Sequence, residues 1–397
     1  MLPRSRLRAR LAVAIAALAL LALAAPTAGL AAPAGGGGQR LAKVDDAVHG
    51  VMAQREIPGV ILGVWQRGKP PIVKAYGARN VDLASHERGK KMSTGLYMRI
   101  GSETKTFTGT AVLQLVGEGK VALDDPIGKY VPGVPNGENI TIRELGDMRS
   151  GLVSYTATEG WAKEFFANPR RPWTPQELLS YSFSQPPIFP PNGTFNYSNT
   201  NFVLLGLLVE KVSGEKLGDY FERHIIGPLH MTHTVFPSSA AFPRPHANGY
   251  TAQDLAGTVA DTTNWDPSWG WAAGAMISDL HDLRIWAKSV ATGSLLKPAI
   301  QRQRERFIPA PGLEPARYGF ALFDVKGWIG HNGSLPGYES LTVYSPSLRT
   351  TMVILLNSDI SPKSGELSTL LGKAVTRVIA PHNVFFFKPG AQQSPKH

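Results

Sequence analysis

Apolar positions along this chain fall into three regimes. Leu41, Val44, Val48, Val51 and Met52 recur at helical spacing and predict an amphipathic helix that stops before Ile57-Pro58-Gly59. Val60 to Trp65 and Ile72 to Tyr76 flank Arg67-Gly68-Lys69-Pro70 and predict a β-hairpin. A turn at Gly101 then feeds a long apolar helix in which Phe107, Ala111 and Leu115 recur along one buried face. From about Leu123 to Ala260 the pattern changes to short helices and turns, with helix starts at Asp124-Asp125-Pro126, Pro175 to Leu179 and Phe202 to Val212. Strand patterns return at Tyr318 to Phe323, Ser340 to Tyr344 and Thr351 to Leu356; the last is apolar at nearly every position, as a strand covered on both faces would be. A helix from roughly Gly365 to Val378 closes the pattern.

Strands at both ends with helices between them define the expected fold class as α/β (α+β): an antiparallel sheet flanked by N- and C-terminal helices, with an inserted, mostly helical domain. Residues 41–122 and 261–388 form the expected discontinuous α/β domain, 123–260 the helical domain and 389–397 a polar tail. No internal repeat is present.

Composition adds a compartment. Arg4, Arg6, Arg8 and Arg10 precede the apolar run Leu11 to Ala25, and small residues follow, which predicts a secretory signal peptide over 1–31 with cleavage near Ala31 or Ala32. Fifteen apolar residues are fewer than the roughly 20 that span a bilayer, so no integral membrane segment is expected after cleavage. The expected location is secreted or cell-envelope. Residues 32–40, rich in glycine, read as a flexible linker. The chain has no cysteine, which excludes disulfides, thiol catalysis and a lipidated cysteine. Net charge is +11, and losing the first 31 residues leaves +7, from 37 basic and 30 acidic residues. That suits an anionic envelope. No dense basic run interleaves with aromatics, so nucleic acid is not an expected partner.

Three segments carry candidate chemistry. Ser102 and Lys105, three apart at the start of the apolar helix, share a face, so the amine can stand over the hydroxyl. A serine nucleophile needs an adjacent base, and a lysine serves if desolvation keeps it neutral. Ser-x-x-Lys recurs at Ser213 to Lys216 and Ser294 to Lys297, but only the copy at Ser102 opens a long apolar helix. Tyr197-Ser198-Asn199 precedes the helix at Phe202; Tyr197 is a candidate base if cations lower its pKa, and Asn199 can orient a substrate carbonyl or Lys105. Ordinary turn chemistry explains the same residues. In Gly330-His331-Asn332-Gly333-Ser334, Gly333 lets a ligand approach the strand, the Ser334 N–H can join that of Ser102 in an oxyanion hole, and His331 can polarise Tyr197.

In that order, with separations of 95 and 134 residues, the segments resemble the motifs of the penicillin-binding serine hydrolases, in the branch of class C β-lactamases, DD-carboxypeptidases and related esterases. The resemblance implies a β-lactamase/transpeptidase-like fold, a monomer, no cofactor and no metal. It implies two-step acyl transfer, with Ser102 as nucleophile, Lys105 and Tyr197 relaying the proton, Asn199 binding the acyl-side amide, and Asn332, Gly333 and Ser334 lining the substrate strand. His331 stands where many relatives carry Lys, so a rate change between roughly pH 5.5 and 7.5 is expected. Phe323 stands where close relatives carry a carboxylate-binding Arg, and Asn332 replaces the usual Thr. Trp265, Trp269 and Trp271 are candidates to line an apolar site, or core residues. His230 and His233 lack a metal-ligand pattern and read as a solvated turn. Expected substrates are peptidoglycan stem peptides ending in D-alanyl-D-alanine, with a small ester or a β-lactam as the alternative. A catalytically silent wall-binding protein is the third reading.

Overall fold

The computed structural model describes residues 35–253, 257–361 and 365–387. The expected signal peptide and polar tail lie outside them. Helix α1 spans Gly35–Arg55; strands β1 (Gly59–Gln66) and β2 (Ile72–Gly77) form the expected hairpin; β3 is Met98–Arg99, and α2 is Thr104–Gly117. Five helices follow, α3 (Ile142–Gly146), α4 (Glu159–Ala167), α5 (Pro175–Phe183), α6 (Asn199–Ser213) and α7 (Leu217–Phe221). Then come β4 (Tyr250–Thr251), β5 (Ala260–Asp261), α8 (Trp271–Gly274), β6 (Ile277–Ser278), α9 (Leu280–Thr292) and α10 (Pro298–Arg304). The chain closes with β7 (Ile308–Pro309), β8 (Arg317–Tyr318), β9 (Phe323–Val325), β10 (Trp328–Leu335), β11 (Tyr338–Ser345), β12 (Thr350–Leu356) and α11 (Leu367–Ile379).

Among the described residues eight strands make one antiparallel sheet in the order β2-β1-β12-β11-β10-β9-β8-β7, so strands far apart in sequence lie side by side within it, with Val60 opposite Leu356. Every residue of β12 is buried, because α1 and α11 cover one face of the sheet and α9 the other. On the first face Leu341 of β11 lies against Gly372 of α11; on the second Leu280 of α9 lies against Gly63 of β1. Helix α2 is buried from Thr104 to Leu113, enclosed by α6, α8 and the sheet side, so it is a central strut rather than an amphipathic surface helix.

Two expectations need correction. Gly35 to Gly38 belong to α1 and not to a linker. Intrinsic propensity disfavours glycine there, but Arg40 ties the helix to Gln66 and the Pro70 carbonyl, and extending a helix already formed needs no new nucleus. Tyr318 to Phe323 are not one strand: the Gly319 amide bonds the Leu322 carbonyl, Ala321 takes a left-handed φ of 66°, and the chain turns between β8 and β9. The turn places Phe320 against Gly146 of α3.

Candidate active site

Ser102 sits in a single 3-10 turn, Gly101–Glu103, that runs straight into α2. The turn is pressed against β10. A Cβ on Gly101, whose φ is +51°, would lie 3.0 Å from the Ser334 amide nitrogen, and one on Gly333 would lie 2.0 Å from the Ile100 carbonyl oxygen. Only glycine at both positions permits that approach. Ser340 Oγ donates to the Ile100 carbonyl at 3.0 Å and the Ile100 amide donates to Met276 O at 3.0 Å, which pins the turn from two sides.

One turn further along, the Lys105 side chain is wholly buried, and Nζ lies 2.9 Å from Ser102 Oγ and 2.8 Å from the Ala273 carbonyl. Burial without a carboxylate partner holds its pKa well below that of a free lysine. A neutral amine fits both contacts: an N–H donates to Ala273 O, and the lone pair accepts from the serine hydroxyl.

Tyr197 lines the same cleft as Ser102, and its ring centroid lies 4.9 Å from Lys105 Nζ. The structure therefore brings serine, lysine and phenol together. It corrects the charge state of the phenol, because desolvation and the Glu366 carboxylate push the Tyr197 pKa above its ordinary range. The cation expected at the phenol is weakened: the pKa of Lys105, its neighbour, is held well below that of a free lysine. Tyr197 is thus a proton donor at neutral pH, and Lys105 is the group fit to be the base.

Asn199 begins α6 and lines the cleft. Its Nδ2 donates to Thr156 Oγ1 at 3.0 Å, so the amide is held by the Tyr155–Ala157 turn and not by Lys105. Thr156 and Ser154, whose Oγ accepts from the Asn199 amide at 3.1 Å, were not legible as site residues. The nearby Ser150-Gly151-Leu152 segment was the available signal.

His331 is the second charge correction. It is 2% exposed, packed between Tyr318 and Phe323, and absent from the cleft lining. Nδ1 faces the Asn332 carbonyl, which can only accept, so Nδ1 carries the proton and Nε2 accepts from Tyr318 Oη at 3.2 Å. It bonds Tyr318 rather than Tyr197; the Tyr197 and His331 ring centroids are 6.2 Å apart. Burial, with the nearby lysine, lowers its pKa to about 3. No histidine titration near pH 6.5 follows, and kcat/KM is expected to show no His331 inflection between pH 5.5 and 7.5, read by comparing wild type with His331→Gln. Stability carries the signature instead. The folded pKa lies below the unfolded value, so unfolding takes up a proton and stability is lost as pH falls from 6.5 toward 3. The Tm of His331→Gln is expected to fall less than that of wild type across that window.

Asn332 turns its side chain to the cleft, where Nδ2 donates to Glu366 Oε2. Among the described residues strand β10 has no partner on the β9 side beyond Gly330, so His331 to Leu335 offer a strand edge beside Ser102. Together these elements bound a cleft of about 390 Å³ lined by Ser102, Tyr197, Asn199, Asn332 and Ser334, with Trp161, Phe165 and Trp269 forming an aromatic wall. Trp269 is the one of the three expected tryptophans in the lining of this cleft. Trp265 packs on Phe165 and Phe166, and Trp271 against Gly206. Phe323 is buried and also lines the cleft. His233 does not sit in a simple solvated turn: its Nδ1 pairs with Asp279 Oδ2 at 3.0 Å, and its backbone amide donates to Asp282. The Asp279 carboxylate also caps α9 by accepting the Asp282 amide, and that of Asp282 accepts from Thr234 Oγ1, which accounts for the cluster.

A buried lysine on a serine hydroxyl, a phenol in the same cleft and a strand edge at the sheet's flank are the parts of a β-lactamase-type serine site. Residues 44–376 match the Beta-lactamase family model, and the chain belongs to that family. It is 28% identical over 334 residues to "Protein flp" of Staphylococcus aureus (strain MW2), covering 81% of this chain and 64% of the relative. The chain therefore spans slightly less than two thirds of the length of that curated relative. Among solved structures, a D-stereospecific amidohydrolase from Streptomyces sp. superposes with a TM-score of 0.76 at 30% identity, covering 86% of this chain and 99% of the other. An octameric penicillin-binding protein homologue from Pyrococcus abyssi gives 0.71 at 26% identity, covering 86% and 79%. With an octamer among the neighbours, the expectation of a monomer gains no support. Among the described residues no helix is long and apolar enough to cross a membrane.

Proposed function

We propose that this chain is an exported serine hydrolase that cleaves amide bonds of D-amino-acid substrates through an acyl-enzyme on Ser102. The observation that carries the reading is the wholly buried Lys105 amine at 2.9 Å from Ser102 Oγ. In the first step Lys105 Nζ takes the hydroxyl proton as Oγ attacks the carbonyl carbon. The oxyanion forms toward the Ser102 and Ser334 amides, at the positive end of α2. Tyr197 donates its proton to the departing nitrogen as the C–N bond breaks, and is reprotonated from Lys105. Water then attacks the ester under the same groups and frees the acid. The D-configuration rests on the likeness to the D-stereospecific amidohydrolase, and export rests on the basic and apolar pattern of residues 4–25.

A D-alanyl-D-alanine carboxypeptidase is the second reading, favoured by the free edge of β10, along which an extended peptide can lie as an added strand. A carboxylate at the chain end needs a cation, and the described lining residues include neither Lys nor Arg. A silent wall-binding protein would not need a desolvated lysine on a serine hydroxyl.

The first test is a burst. With p-nitrophenyl acetate, one equivalent of nitrophenol per enzyme is expected, together with an acetyl adduct mapped by mass spectrometry to the peptide carrying Ser102. No burst and no adduct would refute the hydrolase reading. Faster turnover of an acyl-D-alanyl-D-alanine than of a D-amino-acid amide would replace the first substrate reading with the second.

A further inference from the structure

Across the wall that holds Asn332, the cleft contains a feature that acyl transfer does not use. Glu366, half-buried, is the only carboxylate among the described residues lining the cleft, and no Lys or Arg stands beside it there. It precedes α11, on a stretch that packs against β11. Behind it Glu339 is 2% exposed, and its Oε2 accepts the Ser368 amide of the first α11 turn at 2.8 Å. The Asn332 amide commits one of its two N–H donors to Glu366, and the carboxylate it faces would repel an incoming carboxylate.

We propose that Glu366 is the receptor for a positively charged amine on the substrate, which makes the preferred substrate an amino-acid amide or short peptide with a free ammonium rather than one with a free carboxylate. The inference rests on the amidohydrolase reading and narrows it.

Two carboxyls this close do not both ionise in a poorly solvated wall. Burial and Glu366 raise Glu339 well above the carboxylate range, so the deeper group keeps its proton. Glu366, raised to about 7, is the one that ionises, with the Asn332 N–H and the positive end of α11 in support. An arriving ammonium supplies the partner that no described lining residue provides, and the apolar surroundings strengthen the pair. Phe323 lines the same cleft without charge, so the described lining lacks a cation and holds an anion.

The test compares four probes on the full-length enzyme: D-phenylalanine amide, its N-acetyl derivative, N-acetyl-D-alanyl-D-alanine and p-nitrophenyl acetate. Wild type is expected to favour the free amine over its N-acetyl form by about tenfold or more in kcat/KM. Glu366→Gln is expected to lower kcat/KM for D-phenylalanine amide by roughly 10- to 100-fold more than for the two neutral probes, with the extra loss mainly in KM. Glu366→Asp should recover part of the loss, and matching Tm values show that the variants fold. Equal losses on charged and neutral probes would mean that Glu366 serves only the fold at α11, and the inference fails. It fails equally if wild type prefers the acetylated amide or the carboxylate probe. Loss of the ester burst at Ser102 in wild type is a different result, which removes the hydrolase reading itself.

Discussion

Lys105→Arg is expected to lower kcat/KM by a factor of roughly 100 to 10,000, the usual worth of a positioned general base. Arginine keeps a cation in place but cannot surrender its proton, so a purely electrostatic role for Lys105 would survive the change and a base would not. A bulkier, permanently charged group in a dry pocket also threatens the fold, so Lys105→Met is the companion. It matches the length of the stem and is expected to lose activity to a similar degree while keeping a cooperative thermal transition. The pH profile gives the sign. A base must be unprotonated, so the wild-type rate rises with pH and reaches its plateau well below the pKa of a free lysine, because burial holds Lys105 down. The residual activity of Lys105→Met should show no such limb. A profile unchanged by the substitution would assign the base elsewhere.

The second large effect is at Gly333. An added methyl in Gly333→Ala would stand 2.0 Å from the Ile100 carbonyl oxygen and 2.6 Å from Ser340 Oγ, closer than atoms can sit. Strand β10 must draw away from the turn that carries Ser102, taking the Ser334 amide with it. A displacement of about 1 Å in a catalytic constellation costs on the order of 100-fold in rate, and overpacking of this kind destabilises by about 1–3 kcal/mol. Both should be visible, the first in kcat with p-nitrophenyl acetate and the second in chemical denaturation. A variant with wild-type kcat would show that strand and turn are not held in register for catalysis.

What the sequence revealed of this site follows the range of the interactions involved. Ser102 and Lys105 were legible because a helix fixes which residues share a face, whatever surrounds it. Strands β11 and β12 were legible for a similar reason, as short apolar stretches bounded by turns, whereas β10 was read only through its His331-Asn332-Gly333 motif. Tyr197 and His331 were readable as residue types in an ordered set of motifs, but their charge states were not. Burial decides those states, and burial is a property of the whole packed sheet. The pH switch expected of His331 vanished for that reason, and the base passed from Tyr197 to Lys105. Glu366 gave no signal at all: one acid before a helix looks like any other until β10 and β11 close around it. The β8 to β9 turn was hidden because its apolar residues follow a strand-like pattern, while Ala321 takes a left-handed conformation that composition does not announce.

The pairing of Val60 with Leu356 has a consequence for how the protein is made. The strand next to β1 is made after every catalytic residue, so a nascent polypeptide already bearing Ser102, Lys105 and Tyr197 still lacks both β12 and the β10 edge. Contacts of such long sequence separation form slowly. Reactive chemistry is thereby withheld until β10 and β12 have both been made.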